Sequence, residues 1–170
     1  MKSTDRFLIA IVAGVLLLVT VALVVAMRQA PLTYRPDTAP DSVAFNYLLA
    51  LQRNDYARAL AGLSPRVAGS PGDAQALAAD VHENRYMFQM DENLVAFSPD
   101  PAHLNAETAT VQVHETRFYQ GQLFNSGETT DSFEMRLGQT GGAWTIVSAD
   151  RYWLPCWEQA NGCHNPGPKP

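Results

Sequence analysis

The sequence of 170 residues predicts an α+β domain carried on a single N-terminal transmembrane helix. Three observations predict this fold class. An uncharged apolar run stands near the N-terminus, a middle section repeats apolar residues at three- and four-residue steps, and the last section alternates apolar and polar residues. Helices followed along the chain by strands are typical of folds in which helices pack on one face of a curved antiparallel sheet.

The apolar run at residues 7–27 contains no charged residue, and as a helix it would be about 32 Å long, matching a hydrocarbon core of about 30 Å. The alternative is a cleaved signal peptide, whose apolar region is usually about 7–15 residues long and is followed by small residues. Here the run ends at Met27, and Arg28 and Gln29 follow it instead. We therefore expect an uncleaved anchor that contacts the lipid bilayer through residues 7–27.

Charge indicates both the orientation and the partners of the chain. The amino terminus, Lys2 and Arg6 precede the apolar run, and Arg28 and Arg35 follow it, so the count of basic groups slightly favours a cytoplasmic N-terminus at residues 1–6. From residue 41 onward the chain carries 15 acidic and 8 basic residues, a net charge of −7. Such a domain repels the phosphate backbone, so we expect no nucleic-acid partner.

The remaining chain divides into a proline-containing linker at residues 28–40, a folded domain at 41–157 and a Pro/Gly-rich tail at 158–170. Apolar periodicity predicts helices, the first capped by Asp41 or Ser42 and the third by Ser70-Pro71. Alternation predicts strands joined by turns at 125–127 and 139–142. The predicted helices are 41–53, 56–63 and 71–84, and the predicted strands are 93–98, 108–120, 128–137 and 143–153.

In the longest predicted strand the odd positions change character along the chain. Ala109, Val111 and Val113 are apolar, whereas Glu115 and Arg117 are charged. We interpret this change as a bent strand that leaves the core at its far end.

The run APDSVAFNYLLALQRNDYARALAGLSP at residues 39–65 resembles the opening of NTF2-like domains of the cystatin-like α+β class, through Asn54, Asp55, Tyr56 and Ala59. The closing run GGAWTIVSADRYW at residues 141–153 is similar to the final strand of that family. The resemblance implies helices packed on a curved antiparallel sheet, with a conical pocket between them. It implies no single function, because the fold carries both enzymes and non-catalytic interaction modules.

The two cysteines, Cys156 and Cys163, allow three interpretations. Zinc needs about four ligands, but only His164 stands beside them, and covalent haem attachment requires C-x-x-C-H, whereas six residues intervene here. The simplest interpretation is a disulfide, which persists outside the cytoplasm. We therefore expect no metal and no cofactor, and a C-terminal domain on the extracytoplasmic side of a cell membrane.

A catalytic pair is the weakest of the candidate sites. His114 could form an acid–base pair with Glu134, Asp150 or Asp131 on neighbouring strands. The even positions around His114 are polar, which is typical of a solvated face, so we expect a surface histidine and a protein that is not an enzyme.

Aromatic residues gather where the domain ends, at Tyr152, Trp153 and Trp157. Core closure and a partner interface both explain such a cluster, and we take these residues as interface candidates. The expected function is a membrane-anchored interaction module, a non-catalytic accessory subunit of a larger membrane protein complex such as a respiratory or photosynthetic one. The alternative is a small-ligand-binding or enzymatic domain that uses its conical pocket.

Overall fold

The computed structural model divides the chain into two compact units, Met1–Thr33 and Tyr34–Pro170. The folded unit therefore begins at Tyr34 and not at residue 41. The predicted turn at 125–126, the start of the predicted linker and His164 lie outside the described residues. The structure describes residues 3–27, 32–90, 94–119, 127–160 and 162–163.

The first unit is a single helix, α1 (Ser3–Met27). Within it, Phe7–Val24 is the one stretch of the described residues that is long and apolar enough to cross a membrane, and its side chains are exposed. A membrane anchor and an N-terminal signal sequence both fit this length and composition.

Three helices form one layer of the second unit: α2 (Pro40–Gln52), α3 (Tyr56–Gly62) and α4 (Ala74–Glu83). All three predicted helices are confirmed, with shifted ends. The prediction that Ser70-Pro71 caps the third helix is wrong, because the Asp73 side chain accepts the cap hydrogen bond from the Ala76 N–H at 2.8 Å. A carboxylate satisfies an unpaired N–H of the first turn as well as a hydroxyl does.

Helix α2 is buried on almost every side, because the chain that precedes it folds back over it. The buried Asn46 side chain accepts from the Arg35 N–H and donates to the Arg35 carbonyl, both at 2.7 Å, and donates to Asp37 at 2.6 Å. On another side, Gln52 donates to the Val95 carbonyl at 2.9 Å. Part of the predicted linker is thus fixed onto the folded unit by hydrogen bonds to a buried amide.

Five strands form one antiparallel sheet of order β1-β3-β4-β5, with β2 also paired to β3. The four predicted strands are confirmed, although the last ends at Ala149 and not at residue 153. The short β2 was missed because its three residues are all exposed and show no alternation. The strands are β1 (Val95–Pro99), β2 (His103–Asn105), β3 (Thr108–Tyr119), β4 (Gly127–Thr140) and β5 (Ala143–Ala149).

The core lies between the helices and one face of this sheet. The predicted apolar faces are confirmed: Ala109, Val111 and Val113 of β3 and Phe133, Met135 and Leu137 of β4 are almost fully buried, as is Ile146 of β5. Helix α2 packs against β1, β3 and β5 and covers this apolar face of the sheet. Burial of this continuous apolar face is the main contribution to the stability of the second unit.

The C-terminal segment completes the core after β5 ends. Tyr152, Trp153 and Trp157 are each 4% exposed or less, and the Trp157 Nε1–H donates to the buried Asp80 carboxylate at 2.7 Å. The interface assignment of these three residues is therefore wrong. Their large apolar surfaces contribute more to stability when they fill the space between α4 and the sheet than when they are exposed.

The predicted disulfide between Cys156 and Cys163 is present and closes a small loop. This loop packs against Gly69, whose N–H donates to the Trp157 carbonyl at 2.8 Å. A Cβ atom on Gly69 would overlap the backbone at Gln159 and would lie 2.8 Å from the Cys156 carbonyl oxygen. The two segments therefore approach as closely as only glycine allows.

We expect Gly69→Ala to lower the free energy of unfolding by about 2–3 kcal/mol, because the added methyl group would meet backbone atoms that cannot yield. Chemical denaturation of the detergent-solubilised chain, followed by tryptophan fluorescence, would measure the change. Gly72→Ala is the matched control, since no atom lies within 4 Å of a Cβ there. Equal stability of the two variants would contradict the close approach.

Candidate functional site

A cluster of charged and polar side chains lies at the far end of β3, on the face of the sheet that packs against the helices (the concave face). Alternation along β3 places Glu115 and Arg117 on the same face as Val113. Arg151 and Tyr152 reach the cluster from the segment that follows β5. Glu115 is only 1% exposed, so β3 is still in the core at this position. The strand leaves the core at its far end, as predicted, but only at Phe118 and Tyr119, which are exposed.

Both carboxylate oxygens of Glu115 are engaged. Oε1 accepts hydrogen bonds from the Arg117 Nε–H and, at 2.8 Å, from the Tyr152 hydroxyl. Oε2 accepts from Arg151 at 2.9 Å, and Arg117 also donates to the Tyr152 hydroxyl oxygen at 3.1 Å. A buried carboxylate in this arrangement is stabilised by two guanidinium groups and one phenol. It presents no spare oxygen for proton transfer, so the cluster has the chemistry of a structural ion pair.

The Tyr152 ring fills the middle of the concave face. It makes edge contacts with Phe97 at 5.4 Å and Phe133 at 5.7 Å between ring centroids. Its carbonyl accepts a hydrogen bond from the Tyr47 hydroxyl at 2.7 Å. The backbone of Tyr152 has a φ of 57°, a left-handed conformation unfavourable for a side chain of this size. The contacts of the Tyr152 ring, hydroxyl and carbonyl hold the backbone in this conformation.

The cluster changes the ionisation of its members. Burial, and then the hydrogen bond to Glu115, raise the pKa of Tyr152 above its ordinary value. Burial opposes the charge on Arg117, but the Tyr152 and Glu115 groups beside it outweigh that effect and raise its pKa. The hydrogen bond to Glu115 likewise raises the pKa of Arg151. Tyr152 therefore stays neutral and both arginines stay charged across the physiological range.

An open groove of about 380 Å³ lies beside the cluster, where β1 begins and β3 ends. Arg117 supplies its charged group, and most of the remaining lining is apolar or aromatic. The exposed side chains of Phe118 and Tyr119 stand on one side. The other lining residues are Gln89, Met90, Leu94 and Val95.

The predicted acid–base pair does not form. His114 lies on the outer face of the sheet, where its Nε2 is 3.1 Å from Asp100 Oδ2, and the two side chains are 42% and 50% exposed. Glu134 accepts from Arg136 at 2.8 Å, and Asp150 accepts from the Glu134 N–H at 3.1 Å. The structure thus brings Glu134 and Asp150 together but not with His114, whose opposite residue on β4 is Ser132.

No group of three or more histidine, cysteine, aspartate or glutamate side chains suited to a metal ion occurs in the part of the chain that the structure describes. Sequence reasoning missed the role of Glu115. Its odd position between Val113 and Arg117 was a usable signal, because a carboxylate on an apolar face must find partners.

No protein-family model and no curated protein matches this sequence. Solved structures with NTF2-like and cystatin-like folds are similar to it. An NTF2-like protein with a cystatin-like fold from Novosphingobium aromaticivorans is 16% identical over 64% of this chain and 75% of that chain, with a TM-score of 0.43. A protein of unknown function with a cystatin-like fold from Nostoc punctiforme is 14% identical over 66% and 86%, with a TM-score of 0.43. The association domain of C. elegans CaMKII is 13% identical over 63% and 87%, with a TM-score of 0.42.

We expect Glu115→Gln to lower the free energy of unfolding by about 2–3 kcal/mol, because it leaves two guanidinium groups without their carboxylate, and their partial exposure limits the loss. Glu134→Gln is the matched control, because it removes a carboxylate that pairs with one exposed arginine on the outer face; its cost should stay below about 1 kcal/mol. Denaturant titration of both variants would test this difference, and equal losses would contradict the structural role of Glu115.

The raised pKa of Tyr152 predicts a loss of stability in alkali. The unfolded chain releases the tyrosine proton near its ordinary pKa of about 10, whereas the folded chain retains it to higher pH. The stabilising contribution is therefore complete below about pH 10 and falls as the pH rises above that value. Tyr152→Phe should flatten the dependence of the unfolding free energy on pH between about 10 and 11.5 by up to about 1.4 kcal/mol per pH unit. An unchanged slope would contradict the burial of this hydroxyl.

Proposed function

We propose that this chain is a single-pass, membrane-anchored interaction module on the extracytoplasmic side of a cell membrane. It acts as a non-catalytic accessory subunit of a larger membrane protein complex. Its N-terminus lies in the cytoplasm, and its partners are the lipid bilayer and other membrane protein subunits.

The observation that carries this proposal is the filling of the concave face by the chain itself. Tyr152 occupies the middle of that face, and its hydroxyl and the Glu115 carboxylate bind each other and the two arginines. Substrates of α+β domains of this shape would have to enter this space between the sheet and the helices. A domain whose interior is packed with its own aromatic side chains is suited to use its outer surfaces.

Two further features support the location. The exposed apolar stretch Phe7–Val24 has the length of a membrane-spanning helix. The disulfide between Cys156 and Cys163 is of a kind that persists in oxidising compartments. Together they favour an anchor retained in the membrane and a folded unit outside the cytoplasm.

The groove beside Arg117 favours a second candidate function, the binding of a small apolar ligand. Its volume of about 380 Å³ and its aromatic side are suited to a compact molecule that carries a negative group for Arg117. Native mass spectrometry of the purified chain would show a bound small molecule, and Arg117→Gln should remove it. A spectrum of the bare protein alone would count against this second function.

The accessory-subunit function predicts that the chain, tagged and extracted in mild detergent, migrates on a native gel in an assembly several times larger than its own 18.6 kDa. The control carries residues 1–40 fused to an unrelated folded domain, so that it keeps the helix and loses the interaction surfaces. Mass spectrometry should find the same membrane subunits with the intact chain in every preparation and none with the control.

Three measurements would contradict the proposal. They are migration as a single or paired chain, a mature N-terminus near residue 31, and free thiols at Cys156 and Cys163 in protein isolated from its native source. Migration as a single or paired chain would contradict the complex. A mature N-terminus near residue 31 would contradict the retained anchor, and free thiols would contradict the oxidising location.

A further inference from the structure

One long edge of the sheet has no neighbouring strand in the described structure. Strand β4 pairs with β3 from Gly127 to Gly138, but its pairing with β5 begins only at Met135. The last contacts to the β4 backbone on the β5 side join Asp150 to Glu134, and beyond them the Arg151 side chain lies 3.5 Å from the Asp131 carboxylate. Residues 127–133 of β4 are therefore open on that side, and residues 127–132 are exposed.

The parity of the strand shows which backbone groups face outward. The Glu134 N–H and carbonyl point towards the β5 side, where they contact Asp150. The irregularity in β4 comes later, between Arg136 and Leu137, so regular alternation places the backbone groups of Glu128, Thr130 and Ser132 on the same side. In the part of the chain that the structure describes, no strand pairs with the outward-facing donors and acceptors of these residues.

This edge lacks most of the features that usually protect an exposed strand. Natural edges are shortened, bulged, interrupted by proline, or charged, most often by lysine; this edge carries two charges, Glu128 and Asp131. Residues 127–133 read GETTDSF, with no proline and no lysine, and they run for seven residues without a bulge. The edge is thus a template for one more strand.

We propose that this edge pairs with the same edge of a second copy of the chain, antiparallel and about a two-fold axis at Thr130. In this register Thr130 faces Thr130 of the second copy, Glu128 faces Ser132, and Thr129 faces Asp131. About six backbone hydrogen bonds would form, two for each pair of outward-facing residues. Closed two-fold symmetry uses one self-complementary surface, which this edge supplies.

The charges of the edge fit a second copy in this register. Each carboxylate directly faces a hydroxyl, and the central threonine pair is a favourable cross-strand combination. In this register Asp131 and Glu134 each lie diagonally across from a carboxylate of the second copy, but both already have an arginine partner within their own chain. Asp131 lies 3.5 Å from Arg151, and Glu134 accepts from Arg136 at 2.8 Å.

A seven-residue edge buries less than the roughly 1,200 Å² found in stable complexes. The pairing therefore rests on the membrane anchor of the proposed function, because anchors in one membrane hold two copies at a high effective concentration. The Cα atoms of the helix also place Ala10 and Gly14 four residues apart on one face, a spacing that allows close approach of two helices.

The experiment introduces single cysteines into the full chain in its membrane and applies a short bifunctional thiol reagent. Thr130→Cys should give a cross-linked band of twice the chain mass, and the matched control Ser98→Cys, exposed on β1, should not. Co-expressed Glu128→Cys and Ser132→Cys chains should cross-link to each other. Ser132→Cys alone should not, because its two copies would lie about 13 Å apart along the strands.

Thr130→Pro removes one outward-facing N–H and leaves the β3–β4 ladder intact, so it should abolish the cross-link between Glu128→Cys and Ser132→Cys with little change in melting temperature. If Thr130→Pro unfolds the chain, Thr130→Lys is used instead, because it places the lysine of one copy opposite the lysine of the other. Cross-linked bands of equal intensity from Thr130→Cys and Ser98→Cys would overturn the pairing. Equal bands from the co-expressed Glu128→Cys and Ser132→Cys chains and from Ser132→Cys alone would also overturn it.

The outcomes also separate this pairing from the proposed function. A large native assembly without the Thr130→Cys band would overturn the self-pairing and leave the accessory-subunit function standing. The Thr130→Cys band in a species of only two chains would support the pairing and overturn the accessory-subunit function. A cross-link from Thr130→Cys to a different protein would show that another strand occupies the edge, which also overturns pairing with a second copy.

Discussion

The buried carboxylate of Glu115 is the constraint on which much of this structure depends. It lies at the end of an apolar strand face, where an unpaired charge would be strongly unfavourable. Its hydrogen-bond donors come from Arg117 on the same strand and from Arg151 and Tyr152 beyond β5. The chain after β5 therefore has to turn inward to satisfy Glu115, and this turn places an aromatic ring in the middle of the concave face.

The inward turn continues as a series of contacts that make the C-terminal segment part of the core. The Tyr152 carbonyl accepts from Tyr47 on α2, and Trp157 donates to Asp80 on α4. The disulfide then holds the following loop against Gly69. Because sheet, helices and C-terminal segment share these contacts, the segment contributes to global stability.

The same turn decides which surfaces remain for partners. Strand β5 ends at Ala149 because the next residues leave the sheet to reach Glu115, and β4 consequently extends beyond its neighbour with an open edge. An interior filled with aromatic side chains and an uncovered strand edge are two results of one packing solution. Both support the proposed function, which uses outer surfaces and not a pocket.

The sequence by itself determined the apolar helix, the helices-then-strands order, the inward faces of β3 and β4, and the disulfide. Each of these depends on local periodicity or on the presence of only two cysteines. It did not determine that Glu115 is buried, that Tyr152 fills the concave face, or that His114 pairs with Asp100. Those features join residues up to 105 positions apart, as Tyr47 and Tyr152 are. Only the tertiary structure decided them, because the partner of a buried polar group depends on which distant segments the packing of the core brings together.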